Sequence, residues 1–342
     1  MIDEPIYENE EISSWNRSFI KKAKVIYPKN TQELKKIFNF LQKFKKKYLI
    51  RTGHCSYDDK SITDNFETYV ISLKNFNKII SINKKKGLVS VQAGALFTSI
   101  VKRLKNEKCS LYSIPGGSHI SIGGAIAANV IGKDSNKKYA CFGDTIKSIQ
   151  ILDNNGHIKK INYKAKNFFN YIGSFGLAGM ILSADLKIKK LKSHNVKFKS
   201  KIINNLNEVK FELEKKTDFK YIQLDPFFRE NNFGVVFEAN LSSSNKYKYK
   251  EQNMNSNFFE KILFRFSSFF INSLTLKIIY KLFFSFSKNK NDLIDISNFH
   301  YPSKYIHLVP LLCRGGLVDY EVLIKKDFVK KMKGIIKFLK KH

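Results

Sequence analysis

Residues 115–127 read Pro115-Gly116-Gly117-Ser118-His119-Ile120-Ser121-Ile122-Gly123-Gly124-Ala125-Ile126-Ala127, the densest cluster of glycine in the chain. Where side chains are stripped away, backbone N–H groups can converge on an anion that a Cβ would hold off. The small run Ala125 to Ala128 lets something flat or bulky pack directly on the backbone. A diphosphate-containing cofactor meets both demands. A glycine-rich structural turn is the bland alternative for this segment taken alone.

Two more segments share the character. Residues 51–59, RTGHCSYDD, mix a glycine with hydroxyl and basic groups, and residues 173–179, GSFGLAG, again keep the backbone bare. Each sits at the end of an expected strand, which solvent turns do not require. Familiar nucleotide motifs fail on spacing. Gly132-Lys133 is followed by Asp134 and lacks the upstream glycine of a P-loop, and Gly173-x-x-Gly176-x-x-Gly179 is not GxGxxG.

Around these loops the pattern predicts mixed α and β structure. Ala23–Tyr27 reads as a strand, Asn30 as an N-cap with Glu33 three residues on, and Leu34, Ile37, Phe38 and Leu41 as one helical face. Tyr48–Arg51 is a strand, giving a β-α-β start. Strands follow at 69–73 and 88–93, with Lys84–Gly87 as a hairpin-type turn between them, and a helix at 95–105. Asp153-Asn154-Asn155-Gly156 turns a hairpin between 146–152 and 157–161. Residues 180–190 alternate as a strand, and a Lys/Ser/Asn-rich stretch near 190–195 marks a boundary. Beyond it, 232–239 and 317–324 read as strands and 327–341 as a helix.

Sixty-one Lys and Arg against 29 Asp and Glu give a net charge of +32. The excess lies along the whole chain among many Asn and Ile, with no nucleic-acid motif, so compositional drift outweighs a polyanion site and no nucleic-acid partner is expected. If an anionic partner exists, it is an acidic membrane face. Cys55, Cys109, Cys141 and Cys313 have neither CxxC nor metal-ligand spacing, so reduced thiols and no metal are expected. The N-terminus lacks an apolar signal region, and no uncharged apolar run is long enough to span a bilayer. These features predict a cytoplasmic chain, with any membrane contact peripheral, at the inner face. Residues 258–286 are aromatic-rich and carry Lys261, Arg265, Lys277 and Lys281. They read either as buried segments of a second domain or as a basic aromatic surface resting on a membrane.

The order of the motifs resembles the FAD-linked oxidases of the p-cresol methylhydroxylase/vanillyl-alcohol oxidase superfamily, in particular those acting on polyprenyl-phosphoryl ribose. Trp15, Arg17, the Arg51…Ser56-Tyr57…Asp59 loop, Gly94, Pro115-Gly116, Gly123–Ala127, Gly132-Lys133, Phe142-Gly143 and Gly173…Gly176…Gly179 carry the likeness. It is strong over about 12–190 and thin afterwards, at His300-Tyr301-Pro302 and Tyr320.

The resemblance implies an α+β fold: a two-lobed FAD-binding domain over 1–192, then an α+β substrate domain with an antiparallel sheet over 193–342, shortened at the C-terminus. It implies FAD as cofactor, held by Arg51, Thr52, Gly53, His54, Cys55, Ser56, Tyr57, Pro115, Gly116, Gly117, Ser118, Ile122, Gly123, Gly124, Ala127, Gly132, Phe142, Gly179 and Ile181. Lys133 and Tyr57 would face flavin and substrate, with Tyr320 reaching in from the second domain. The implied reaction is hydride transfer from a sugar hydroxyl carbon to the flavin, on a free sugar or a lipid-linked phosphosugar. For polyprenyl-phosphoryl ribose, an NAD(P)H-dependent short-chain dehydrogenase partner would complete epimerisation. An alditol or sugar-lactone oxidase on the same scaffold is the second reading, and a catalytically reduced flavin-binding protein the third.

Several positions depart from the family. Ile131 stands where it has histidine, Asp134 where asparagine, and Ser135-Asn136 where a histidine pair. Relatives with covalent flavin carry histidine at the position of Cys55, so noncovalent FAD is expected. His119 is expected to bond locally rather than to catalyse.

Overall fold

The structure is a computed structural model and describes residues 3–57, 59–134, 138–229, 233–244, 256–303, 305–313, 322, 324 and 326–341. The chain packs as two units. One runs to Leu191 and takes in the 3-10 segment Ile306–Leu312; the other starts at Lys192 and includes the last helix.

Two sheets form the first unit. In chain order its elements are β1 (Glu8–Ser13), β2 (Ile20–Ile26), α1 (Thr31–Lys43), β3 (Tyr48–Arg51), β4 (Tyr69–Ser72), β5 (Ile79–Asn83), β6 (Leu88–Gln92), α2 (Phe97–Asn106), β7 (Cys109–Leu111), α3 (Ile122–Ala128), β8 (Ile146–Leu152), β9 (Ile158–Asn162) and β10 (Met180–Lys190). The first sheet has the order β1-β2-β4-β3, with β4 parallel to both neighbours. β4 is buried at every residue, as a central strand carrying the apolar run Tyr69-Val70-Ile71 must be. Asn30 caps α1, its side chain accepting from the Gln32 and Glu33 amides, and Leu34, Ile37, Phe38 and Leu41 face inward.

The second sheet is antiparallel, β5-β6-β10-β8-β9, with β7 pairing the far end of β10. The Asp153–Gly156 turn joins β8 to β9. The space a Cβ at Gly156 would take lies 3.5 Å from Phe38 of α1, so this hairpin tip rests against the first lobe. The Lys84–Gly87 turn connects β5 to β6 and not β4 to β6, a correction to the expectation. β4 lies in the other sheet, where its apolar Tyr69-Val70-Ile71 run is covered on both faces.

The second unit contains β11 (Asn195–Ile203), α4 (Leu206–Glu214), β12 (Phe219–Leu224), β13 (Gly234–Leu241), α5 (Phe258–Ser267), α6 (Ser273–Ser287), β14 (Asn291–Asp295), α7 (Ile296–His300) and α8 (Phe328–Lys341). Its antiparallel sheet runs β12-β13-β11-β14. Ile203, Val209 and Val236 make part of its core, with Phe328 packed against them. The whole is an α+β architecture. The strand expected at 317–324, with Tyr320, lies outside the described residues except Val322 and Ile324.

Candidate functional site

β3 delivers Arg51 to the start of the first glycine loop. The side chain is 4% exposed and turns back so that Nη2 donates to the Ser13 carbonyl at 2.8 Å. Its Nε has no hydrogen-bond partner among the described residues. Burial lowers the guanidinium pKa, yet arginine keeps its charge. A buried cation with an unused N–H is a recognisable seat for an anionic ligand.

Thr52 and Gly53 lock this loop to the second. Ser121 Oγ donates to Thr52 Oγ1 at 2.6 Å. A Cβ on Gly53 would stand 2.7 Å from Ser121 N and 2.8 Å from the His119 carbonyl, a distance only glycine allows. His54 is exposed, with φ 56°. Cys55 Sγ donates to the Gly53 carbonyl at 3.2 Å, and burial pushes its thiol up to about 11, so it stays neutral. The Ser56 carbonyl accepts from Trp15 N at 2.7 Å. Beyond it Tyr57 lays its ring 4.7 Å from that of Trp15.

The second loop, 113–121, ends where Ser121 caps the short helix α3. Its backbone is stitched to the turn after β6: Phe97 N donates to the Ile120 carbonyl, Ile122 N to Ala95 and Gly123 N to Ala93, the last at 2.7 Å. The Ser121 side chain accepts from Gly124 N. The amides of 122–124 are thus committed within the fold, and the position of Gly123, 2.9 Å from the Ala93 Cβ by its own would-be Cβ, is one of packing. Ile122 is fully buried and Ala127 half-buried. Ser118 Oγ and His119 Nδ1 share a hydrogen bond of 2.8 Å, the local role expected for this histidine.

Gly116 is different. Its φ is not in the left-handed region, and the nearest atom to a Cβ placed there is Lys133 Cε at 3.6 Å, ordinary contact. Neither backbone nor packing calls for glycine at 116. A ligand lying against the backbone would. Pro115, buried, and Gly117 and Ser118 flank it.

Lys133 reaches that place from the 130–134 turn. Gly132 permits the turn: a Cβ there would collide with the Asp134 carboxylate and stand 2.6 Å from Ser113 Oγ and 2.9 Å from Ile114 N. Asp134, buried, accepts from Ile114 N at 3.1 Å, which pins the turn under the second loop. Burial raises its carboxyl to about 6 and lowers the Lys133 ammonium to about 8. Ile131, in place of the family's histidine, is exposed.

The third loop supports α3. Gly173 N and Phe175 N donate to the Ile126 and Ala127 carbonyls, and Gly173, Gly176 and Gly179 all have positive φ. Phe142 is fully buried with its ring 5.2 Å from Phe97, and Ile181 is a buried residue of β10; both are core positions behind the loops. Asn129 was not singled out from sequence. It closes α3 with φ 48°, and its Oδ1 accepts from Gly143 N at 2.9 Å. An Asn immediately after a small-residue run was the available signal. Among the described residues no group of His, Cys, Asp and Glu is placed to hold a metal ion, and no helix is long and apolar enough to cross a membrane.

The first unit therefore joins three glycine-bearing loops, a buried arginine N–H without a hydrogen-bond partner among the described residues, and Lys133 beside the Gly116 backbone. These features fit a dinucleotide with a flat ring system. Comparison with known proteins agrees. Residues 23–162 match the family model for the FAD binding domain. Decaprenylphosphoryl-beta-D-ribose oxidase of Mycolicibacterium smegmatis is 28% identical over 136 residues, 39% of this chain and 29% of that protein. L-gulonolactone oxidase of Mus musculus is 20% identical over 257 residues, 74% of this chain and 55% of that one. The crystal structure of cholesterol oxidase from B. sterolicum superposes with a TM-score of 0.63 at 14% identity, over 75% of this chain and 52% of that chain. The chain spans between 29% and 55% of the length of these curated relatives. With FAD as its cofactor, the chain carries an FAD binding domain over residues 23–162 and is similar to the FAD-linked oxidases of the p-cresol methylhydroxylase type.

Proposed function

We propose that this protein is an FAD-dependent oxidoreductase acting on the CH–OH group of a sugar, with residues 1–192 as the FAD-binding domain and 193–342 as the substrate domain. The observation that carries the reading is Gly116, a glycine the fold itself does not need, facing Lys133. Bound FAD supplies the hydride acceptor. Arg51 contributes buried positive charge toward the diphosphate, and the 52–57 and 115–118 backbone shapes the cradle. Lys133, with its pKa near 8, holds a positive charge at neutral pH, and its neutral Nζ can accept a hydroxyl proton. Tyr57 is the substrate-facing hydroxyl of the first unit in this reading, and the role of Tyr320, outside the described residues, rests on the family resemblance.

The finer substrate is the 2′-hydroxyl of a polyprenyl-phosphoryl ribose, followed by reduction on an NAD(P)H-dependent short-chain dehydrogenase partner, at the inner membrane face. The likeness to the mycobacterial ribose oxidase motivates this. Noncovalent attachment is favoured by the neutral Cys55 thiol. The longer alignment with L-gulonolactone oxidase favours a sugar-lactone substrate as the second reading.

The test is anaerobic mixing of the FAD-loaded chain with polyprenyl-phosphoryl ribose, with L-gulonolactone and with free alditols, following flavin absorbance. Bleaching by the lipid-linked ribose alone is the expected result. Bleaching by lactone or alditol selects the second reading, and bleaching by none of them overturns the enzymatic proposal.

A further inference from the structure

α6 is apolar on two sides but covered on one. Its inner side packs in the second unit: Phe284 and Ser287 are buried, and the Phe283 ring lies 6.3 Å from Phe237 of β13. Ser200 Oγ of β11 donates to the Ser287 carbonyl at 2.5 Å. On the other side Leu274, Ile278, Leu282 and Phe286, four residues apart in succession, form a stripe along the helix and are between 52% and 72% exposed. α5 has no buried residue, and Phe259 and Phe266 on it are 80% and 59% exposed.

The charges sit at the margins of these stripes. At 100° per residue, Lys277 and Lys281 fall between the covered and uncovered sides of α6, and Lys261 and Arg265 fall at the edge of the apolar side of α5. Glu260 is the single acid between 257 and 287; it accepts from Asn257 N in the helix cap. Long basic side chains at the border of an aromatic and aliphatic face can lay their stems on the apolar phase and their charges among phosphates. The net charge of +32 adds attraction at longer range.

We infer that the outer faces of α5 and α6 form a peripheral docking surface for an anionic lipid bilayer, entering the headgroup region without crossing it. This surface is independent of the cofactor site, and its test is read without flavin chemistry. The full chain is mixed with vesicles of phosphatidylcholine alone or with phosphatidylglycerol, and binding is followed by flotation. In parallel, a Phe266→Trp variant is mixed with vesicles carrying brominated acyl chains.

The chain should float with the anionic vesicles, and the new tryptophan should be quenched. The double variants Leu274→Ser with Leu282→Ser, and Lys277→Glu with Lys281→Glu, should each need about tenfold more lipid. Their melting and FAD binding should match the unaltered chain, which separates lost docking from lost folding. Three results would overturn the inference. One is unaltered vesicle binding by the serine variant together with loss in salt, which would assign binding to general charge. Another is an unquenched tryptophan. The third is concentration-dependent self-association without vesicle binding, which would make a second copy the occupant.

Discussion

Residues 115–134 and residues 258–287 use side-chain size in opposite ways. The first region removes side chains from a place where the fold leaves room, and the second holds large ones out where the described residues give them no cover. Each also contains its own control. In the first, Gly123 and Gly132 are glycines because protein atoms fill the space a Cβ would need, whereas Gly116 has no such reason. In the second, Phe284 is buried while Phe286, two residues on, is 72% exposed. A residue type that intramolecular packing does not explain is where contact with something else is legible. One region then points to a cofactor and the other to a surface.

The largest effect should come from a glycine of the packing kind. A Cβ at Gly94 would collide with the Leu73 carbonyl and approach that of Phe76 to 2.9 Å. Gly94→Ala should lower stability by about 3 kcal/mol, seen as a fall in melting temperature of the chain without FAD. Gly116→Val should do the reverse. Its melting temperature without FAD should stay within about 2 °C, while FAD affinity drops about a hundredfold, measured by fluorescence titration. If the two variants behaved alike, the division of the glycines would fail.

Asp134 sharpens the comparison at the level of charge. Its folded pKa of about 6 lies above the ordinary 3.8, so between those values the folded state holds a proton more tightly than the unfolded chain. Stability from this group is present at low pH and is lost as pH rises through about 6. Asn has no such penalty and can still accept from Ile114 N–H. Asp134→Asn should stabilise the chain by about 2 kcal/mol at neutral pH, with the difference gone below the carboxylate range, read from denaturant melts across pH.

A smaller effect is expected at Lys133. Its folded pKa is depressed to about 8, so its charge beside Gly116 fades as pH rises through that value. FAD affinity should be level below about pH 8 and fall above it. Lys133→Met should cost about tenfold in affinity at neutral pH and remove the slope.

What could be read from sequence was local. Asn30 with Glu33 fixed the start of α1, Asp153–Gly156 placed a hairpin, and glycine density marked the three loops, because caps and turns depend on neighbours in the chain. What could not be read depended on distant pairing. Nothing near β4 says that it lies between β2 and β3, and α3 hides behind Gly123-Gly124, which weaken helical propensity. Of the proposed site, Gly116 was singled out by glycine density and Lys133 by the family resemblance. The Thr52–Ser121 bond and the seat of Asp134 under Ile114 were not, since both join loops separated in sequence. Tyr320 lies outside the described residues, and its role rests on the family resemblance.

The most direct test is a titration of the purified, flavin-stripped chain with FAD, followed by quenching of flavin fluorescence. The loops around Gly116 predict saturable binding of one FAD per chain and a yellow protein that keeps its colour on a desalting column. A chain that stays colourless, and leaves FAD fluorescence unchanged at every concentration, would contradict the account.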